Sequence, residues 1–275
     1  IYGILQELDQ NRKLRKTIKS IHGTSAGALA GAIFCLNYDW EILNDYIIHR
    51  PWHQLFTVNM DVVLSSYLKC GFWNINIFYD SLKPLLEAKD LDPNITLAEL
   101  YEYSGIDLHC YCVNVNDFVL CDIHHQSHPH WTLVEAIYAS CAIPSLFSPL
   151  FKDGISYCDG GVMMNYPLEP CLKSGIDQST ILGINNHFET NTIQIDESTN
   201  LFQYVFSIMQ KTFKHVITNQ AKQRIDNEIY IHCNDMSLDY FTSALQNHEK
   251  RQQLVNEGKE LAKSIQCQCH ELVQG

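Results

Sequence analysis

The chain has 275 residues, of which 46% are hydrophobic and 18% are charged, and its formal net charge is −12. This composition is typical of a globular protein and excludes a disordered or fibrous chain. The negative charge argues against nucleic acid as a partner, because binding phosphates requires clustered Lys and Arg. We expect no transmembrane segment, because no apolar run approaches the roughly 20 residues that span a bilayer.

The cysteines and the first residues bear on where the protein works. Eleven cysteines, an odd number, are scattered through a chain that is large enough to build a core without disulfides. We therefore expect a reducing compartment and place the protein in the cytoplasm, either free or peripheral at membranes. The sequence begins on Ile1, inside a helical pattern and without a methionine, which we interpret as a start downstream of the natural one.

Basic residues are concentrated between Arg12 and Lys19. Most such runs are solvated. A strand that rises about 3.3 Å per residue would also separate this run from the motif at its far end. We therefore expect a solvated connection here and not a membrane contact.

Helical and strand patterns alternate along most of the chain. Helices are predicted over 1–10, 26–48, 78–90, 95–105, 132–140, 201–220 and 242–270. Strands are predicted over 16–22, 106–116, 118–125, 154–158, 179–187 and 228–233. The alternation indicates an α/β fold with a mostly parallel sheet. One side of the helix over 201–220 is apolar, and we expect it to pack on the same domain; its residues are Leu201, Val205, Ile208, Met209, Phe213 and Val216.

The pentapeptide Gly23-Thr24-Ser25-Ala26-Gly27 follows the first predicted strand and precedes a helix. A nucleophilic serine on a strained strand-to-helix turn requires this context. Gly23 and Gly27 would let the backbone turn and the helix pack closely, and the helix N-terminus would favour negative charge at a reacting centre. The alternative is a glycine turn without a catalytic role.

Serine is a poor nucleophile unless a base lies within roughly 3 Å of its hydroxyl. The chain has thirteen histidines, and His187, at the end of a predicted strand, is the candidate for a Ser-Asp-His triad. The other candidate is Asp159, which follows a predicted strand and precedes Gly160 and Gly161. Asp-Gly is also a common surface turn, so the residues alone leave both readings open.

Three ordered motifs resemble those of the patatin-like phospholipases: GTSAGA at 23–28, ASCAIPSLFSP at 139–149 and DGGVMMNYP at 159–167. Further similar segments bring the resemblance to most of the chain: 71–86, 95–108, 236–246 and 254–262. The resemblance implies a single three-layer α/β/α domain over 1–275 with a mostly parallel central sheet. The helix-rich part, 187–275, would belong to that domain.

The resemblance also implies a function. Ser25 matches the family's nucleophile and Asp159 its base, in a dyad without histidine. The substrates would be carboxylic esters of phospholipids or other acyl lipids, reached by transient contact with a membrane surface. No metal, nucleotide or other cofactor is implied. A neutral-lipid lipase, a lysophospholipase, a thioesterase or an acyltransferase would use the same dyad.

One element of the family pattern is missing from the sequence. A glycine-rich loop supplies the family's oxyanion-hole amides just before a helix that residues 3–8 match. Losing one such donor typically costs about 10² to 10³ in rate. Without the loop, the alternative is a non-catalytic module that binds a lipid or a partner. We expect instead that the sequence starts downstream of the loop.

Several cysteines and histidines invite comparison with a metal site: Cys110, Cys112, Cys121, His124, His125, His128, His130, Cys267, Cys269 and His270. Structural zinc sites usually pair their ligands at C-x₂₋₄-C and H-x₃₋₅-H spacing. These residues do not pair in that way, so we expect no metal site. Cys110 and Cys112 should share one face of a strand, as small apolar residues.

Overall fold

The computed structural model describes residues 1–10, 13–188, 195–219, 223–233 and 238–274. Its helices are α1 (Tyr2–Leu8), α2 (Lys13–Thr17), α3 (Ala26–Cys35), α4 (Trp40–His49), α5 (Met60–Lys69), α6 (Asn76–Glu87), α7 (Leu97–Ser104), α8 (Leu133–Cys141), α9 (Leu168–Lys173), α10 (Leu201–Asn219), α11 (Leu238–Gln246) and α12 (His248–Gln274). Its strands are β1 (Ser20–Thr24), β2 (Gly71–Trp73), β3 (Asp107–Asn114), β4 (Val119–Ile123), β5 (Ser145–Phe147), β6 (Leu150–Lys152), β7 (Ile155–Asp159), β8 (Gly183–Phe188) and β9 (Glu228–Cys233).

The α/β class is confirmed, because helices and strands interleave and each sheet contains a parallel pair: β1–β3, β2–β5 and β8–β9. The central sheet also has antiparallel pairs, β3–β4, β3–β7 and β6–β7. In two of these pairs, β3–β4 and β6–β7, the strands are consecutive in the chain and joined by a short connection. Antiparallel neighbours can be joined by tight turns, whereas parallel strands need a longer crossover.

Strand β3 is the middle of the central sheet. Its residues from Leu108 onward are buried on both faces, as expected of a strand covered from two sides. Leu108, Cys110 and Cys112 belong to the main hydrophobic core, together with residues of α3 and α8. The expectation that the two cysteines share one buried strand face is confirmed.

Two of the predicted helices are interrupted, so that the structure has two helices in place of each. The segment 26–48 breaks between α3 and α4, where Asn37 has a φ of 52°. Asparagine adopts this left-handed conformation more readily than most residues, so it can end a helix that apolar periodicity alone would continue. The segment 242–270 breaks between α11 and α12, where the Asn247 side chain accepts a hydrogen bond from the backbone N–H of Glu249.

The basic run differs from the prediction at one residue. The side chain of Arg15 is almost fully buried and pairs with Asp9 at 2.5 Å. Its guanidinium also lies over the rings of Phe34 and Trp40, 5.0 and 4.6 Å from their centroids. Arg12 lies outside the described residues. The run is therefore not wholly a solvated connection, because Arg15 anchors α2 to the rest of the fold.

The C-terminal helices contact the first helices. A Cβ on Gly3 would lie 2.1 Å from the carbonyl oxygen of Val255, so glycine is what lets α1 and α12 approach this closely. Arg251 donates from Nε to the carbonyl oxygen of Ile48 at 2.9 Å, which ties α12 to α4. Within the described ranges, no helix is both long enough and apolar enough to cross a membrane.

Helix α10 departs from the expected packing. Leu201, Val205 and Ile208, which we expected to face the domain, are exposed. Met209, which belongs to the predicted side, packs against the main core, and Phe206, which does not, is buried. The side chains of Phe213 and Val216 lie outside the described residues. The packed face of the helix is therefore shifted from the predicted one but overlaps it at Met209.

Candidate active site

Ser25 occupies the turn between β1 and α3. Its backbone has φ 54° and ψ −121°, a strained conformation for a residue with a side chain. A Cβ on Gly23 would lie 2.5 Å from the backbone nitrogen of Ala28, so this turn requires glycine at position 23. The strand, the strained serine and the helix therefore follow one another as the pentapeptide predicts.

Gly27 does not have the packing role that we expected. A Cβ at this position would meet nothing within 4 Å, so the close approach of α3 to the sheet does not depend on Gly27. Gly31, one helical turn further on, makes that approach instead, because its Cβ would lie 2.8 Å from Ile21 and 2.9 Å from Leu108. Gly27 leaves open space beside Ser25.

Strand β3 brings Asp159 next to the serine turn. Thr24, at the end of β1, pairs with Tyr111, and Asp159, at the end of β7, pairs with Cys112. Since β4 occupies the opposite edge of β3 along this stretch, β1 and β7 must lie end to end along the same edge. The two strands run toward each other, so their last residues meet.

The glycines after Asp159 allow this meeting. A Cβ on Gly160 would lie 2.3 Å from the carbonyl oxygen of Tyr111 and 2.9 Å from Thr24. Gly161 donates its backbone N–H to Asp159 Oδ1 at 2.7 Å. The Asp-Gly-Gly turn is thus a tightly packed connection that fixes the carboxylate, and the surface-turn alternative does not describe it.

Asp159 is only 3% exposed, and its Oδ2 is buried without a hydrogen-bond partner in the described part of the chain. Burial raises the pKa of this carboxyl to about 6, although the nearby Ser25 hydroxyl and the Gly161 N–H act in the opposite direction. The result is a carboxylate that is still ionised at neutral pH but is a stronger base than an exposed aspartate.

Ser140 completes the site, and the sequence alone did not single it out. Its hydroxyl accepts a hydrogen bond from the backbone N–H of Ser25 at 2.9 Å and donates to the carbonyl oxygen of Tyr111 at 2.7 Å. It thereby links the serine turn to β3. The sequence did place Ser140 within the ASCAIP motif. That motif alone does not indicate which backbone groups form hydrogen bonds with the Ser140 hydroxyl.

His187 does not join this site in any contact that we find. It is exposed at the end of β8, and its ring lies against that of His232 on β9, with centroids 5.7 Å apart. Within the described residues the ring has no hydrogen bond to Ser25 or Asp159. The geometry therefore favours the carboxylate over this histidine as the neighbour of Ser25.

A second group of ionisable side chains lies toward the start of β3. We name it the His–Asp cluster, and its members are His22, Asp107, His109, Asp122 and His124. The rings of His22, His109 and His124 are stacked, with centroids 4.1 and 4.2 Å apart. His109 lies between the two carboxylates, 3.3 Å from Asp107 and 2.9 Å from Asp122.

These neighbours set the charges of the cluster. Burial opposes protonation of His109, but its hydrogen bonds with Asp107 and Asp122 outweigh burial and raise its pKa to about 9. Burial disfavours the charge on Asp107, but hydrogen bonds with His109 and His125 hold its pKa well below the usual range. Burial and the charge of His109 lower the pKa of His22 to about 4.

The candidate metal ligands of the sequence are only partly brought together. Asp107, His109 and His124 each offer a ligand atom, and these atoms lie within 4.8 Å of one another in the described part of the fold. The side chains of Cys267, Cys269 and His270 lie outside the described residues. Spacing missed this group because Asp107 and His109 on β3 meet His124, which follows β4, only through strand pairing.

Two surface features lie apart from the serine. A groove of about 770 Å³ is lined by residues of α4 and α12, among them Ile48 and His248, and shares none with the Ser25 and Asp159 surroundings. Helix α5 exposes large apolar side chains: Met60, Leu64, Tyr67 and Leu68. Through β2 and its partner β5, α5 connects to the segment that follows Ser140.

Comparisons with known proteins identify the family. The family model described as patatin-like phospholipase matches residues 2–172. A "probable lipid hydrolase" of Invertebrate iridescent virus 6 is 23% identical over 154 residues, which are 54% of this chain and 53% of the viral protein. An uncharacterized protein of Acanthamoeba polyphaga mimivirus is 21% identical over 247 residues, covering 86% of this chain and 79% of the relative.

Among solved structures, VipD from Legionella pneumophila is similar, with a TM-score of 0.49, 17% identity, and coverage of 96% of this chain and 64% of VipD. The chain thus spans about half the length of the iridescent-virus relative and under two thirds of VipD. The matched residues 2–172 are more than half of the chain and include Ser25, Ser140 and Asp159. The chain therefore belongs to the patatin-like phospholipase family.

Proposed function

We propose that the protein hydrolyses carboxylic-ester bonds of glycerolipids, phospholipids foremost, through Ser25 as nucleophile and Asp159 as base. The observation that carries the proposal is the meeting of a strained serine and a buried carboxylate at the ends of two strands on one edge of β3. The unpartnered Oδ2 of Asp159 is free to accept the serine proton. The family and the viral "probable lipid hydrolase" support the lipid substrate class.

The reaction has two halves. Asp159 takes the proton of the Ser25 hydroxyl while the serine oxygen attacks the ester carbonyl, and the same proton then goes to the leaving alcohol. Water next attacks the acyl-serine, with Asp159 as base again, and releases the fatty acid. An ester needs no stronger base, because its alkoxide leaves more readily than the amine of an amide. A pKa of about 6 keeps Asp159 ionised at neutral pH while making it more basic than a free aspartate.

The start of α3 supports stabilisation of the oxyanion. The backbone N–H groups of a helix's first turn have no partner within the helix and carry the positive end of its dipole. Ser25 is the N-cap of α3, so these donors point toward the carbonyl that it attacks. The open space at Gly27 leaves room for that carbonyl and its acyl chain.

Contact with a membrane surface is part of the proposal. The exposed Leu64, Tyr67 and Leu68 of α5 form an apolar face suited to the boundary between headgroups and acyl chains. The described cysteines whose side chains are placed are free thiols, which supports a cytoplasmic location. The contacts of α12 with α1 and α4 support one domain that extends through the helix-rich part, 187–275.

The test measures hydrolysis of phospholipid vesicles and of a soluble short-chain ester by the full-length protein and three variants. Ser25→Ala and Asp159→Asn should each lower turnover by at least about 10³-fold on both substrates, since nucleophile and base act as a unit. His187→Ala is the matched control and should keep wild-type turnover. A neutral triglyceride, a lysophospholipid and a thioester in the same assay rank the alternative acyl substrates.

Three outcomes of these assays would change the proposed mechanism or function. Loss of activity in folded His187→Ala would replace the dyad by a triad. Wild-type activity in Ser25→Ala would end the serine mechanism. Vesicle binding by a wild-type protein that turns over none of the substrates would identify a lipid-binding module.

A further inference from the structure

The His–Asp cluster contains metal-ligand atoms that ester hydrolysis does not use. His109 Nε2 lies 3.3 Å from Asp107 Oδ2, and His124 Nδ1 lies 3.5 Å from Asp107 Oδ1. Four ligands about 2.0 to 2.1 Å from a tetrahedral Zn²⁺ are roughly 3.3 to 3.4 Å apart, whereas octahedral ligands at that bond length are roughly 2.9 Å apart. The two separations are made to different oxygens of Asp107, and they place all three side chains within reach of one metal ion.

The ligand atoms are also held as metal ligands usually are. His109 Nδ1 lies 2.9 Å from both carboxylate oxygens of Asp122, which orients the ring and leaves Nε2 for a metal. A carboxylate on the far nitrogen of a ligating histidine is the common arrangement around zinc. His125 Nδ1 lies 2.7 Å from Asp107 Oδ1 and fixes that carboxylate in turn.

His124 offers a buried ligand atom without a hydrogen bond. Its Nδ1 is buried and has no hydrogen-bond partner within the described chain. The two carboxylates, Asp107 and Asp122, carry the charge that a divalent cation would balance.

We infer that Asp107, His109 and His124 form a Zn²⁺ site, with His109 bound through Nε2 and His124 through Nδ1. Zn²⁺ takes the place of the proton on His109 Nε2, which leaves to solvent. Water takes the fourth position, as in other sites with three protein ligands. Imidazole ligands favour Zn²⁺ over Mg²⁺ and Ca²⁺, which prefer oxygen.

The site lies apart from the serine in this assignment. It joins β3, which carries Asp107 and His109, to the segment that follows β4 and carries His124. His22, stacked on His109, precedes Ser25 by three residues, so the metal lies roughly 10 Å along the strand from the serine. Bound Zn²⁺ would therefore stabilise the sheet that positions Ser25 without contacting the ester.

The experiment titrates the metal-free full-length protein with ZnCl₂, followed by calorimetry and thermal unfolding in the presence of a phosphine reductant. We expect one Zn²⁺ per chain and a rise in Tm of roughly 5 °C at a zinc concentration 100-fold above Kd. His124→Ala should weaken binding at least 100-fold. His130→Ala, an exposed histidine of the same segment, is the matched control and should bind as the wild type does.

Asp122→Asn keeps all three ligands and should weaken zinc binding about 10- to 100-fold, as loss of an orienting carboxylate does. X-ray absorption of the zinc-loaded protein should show nitrogen and oxygen ligands including two imidazoles. Equal zinc affinity in wild type and His124→Ala, or sulfur among the ligands, would overturn the assignment. So would competition by Mg²⁺ at equal concentration.

Discussion

Asp159 and Asp107 are two carboxylates of the central sheet, five positions apart along β3 because Asp159 pairs with Cys112, and their surroundings shift their pKa values in opposite directions. Asp159 is buried with a serine hydroxyl and a backbone N–H but no cation, so burial dominates and raises its pKa to about 6. Asp107 lies between His109 and His125, whose hydrogen bonds outweigh burial and lower its pKa. The difference shows that the neighbours decide whether a carboxylate becomes a base or a stable anion.

The two regions are joined through β1 and β3. His22 pairs with His109 of β3, and Ser25 follows Thr24, which pairs with Tyr111 of the same strand. Gly23 lies between His22 and Ser25. A substitution at Gly23 should therefore disturb both regions at once, whereas a substitution of one carboxylate should affect only the region around that carboxylate.

Gly23→Ala should have the largest effect. The new Cβ would lie 2.5 Å from the backbone of Ala28, which must shift, and the cost should reach roughly 3 kcal/mol or more in the free energy of unfolding. Urea unfolding monitored by circular dichroism measures this. Gly27→Ala is the matched control within the same pentapeptide and should change stability by less than about 0.5 kcal/mol, since its Cβ would meet nothing. If Gly23→Ala and Gly27→Ala had the same free energy of unfolding, the close packing of Gly23 against the backbone of Ala28 would be contradicted.

The pH dependence of hydrolysis should report Asp159. The base is active when deprotonated, so kcat/KM should fall about tenfold per pH unit below about 6 and by about 100-fold at pH 4. Initial rates on a soluble ester between pH 4 and 8, corrected for unfolding, give the acidic limb. If the acidic limb of the kcat/KM profile were centred near pH 4, the base would be an ordinary exposed carboxylate. Asp159 would then no longer differ from Asp107 by a raised pKa.

The smallest effects, on the order of 1 to 2 kcal/mol in the free energy of unfolding after screening by solvent, should have opposite signs for the two carboxylates. The folded-state pKa of Asp159 is raised, so its contribution to stability falls as pH rises through about 4 to 6, and Asp159→Asn should stabilise the fold at pH 7. The folded-state pKa of Asp107 is lowered, so its contribution is present above about pH 4 and is lost in acid. Asp107→Asn should therefore destabilise the fold at pH 7.

Thermal unfolding of both variants and of the wild type at pH 7 and pH 4 tests the signs. The difference between Asp159→Asn and wild type should shrink at pH 4, because Asp159 is then mostly protonated in the fold. The difference for Asp107→Asn should persist at pH 4, because the folded-state pKa of Asp107 lies well below that pH, and should shrink only in stronger acid. The same sign for both variants at pH 7 would show that the two carboxylates have similar surroundings.

Much of the site was predictable from the sequence because its determinants are local. The glycine, the strained serine and the helix start lie within five residues, and the Asp-Gly-Gly turn within three. The Asp-Gly-Gly turn follows β7, which was predicted over 154–158 and lies over Ile155–Asp159, whereas β1, before the serine, was predicted over 16–22 and lies over Ser20–Thr24. The break at Asn37 was missed because apolar periodicity continues across it, and only its backbone conformation ends the helix.

Contacts between distant segments were not predictable in the same way. Ser140 reaches the backbone of Ser25 across 115 positions, and the motif around it gives no indication of that partner. The His–Asp cluster was also missed, since the sequence offered His124 with its neighbours in 121–130 and not with Asp107 or His109. Its formation depends on the register of β1, β3 and β4.

The sequence by itself determined the family, the serine on its turn and the nomination of Asp159, because each rests on short segments whose residue types are required by local geometry. Only the tertiary structure decided that β1 and β7 meet end to end on β3, that Asp159 loses contact with water, and that three histidines stack beside two carboxylates. Burial and strand register are properties of the whole fold. They are what shifts the pKa of Asp159 upward and that of Asp107 downward.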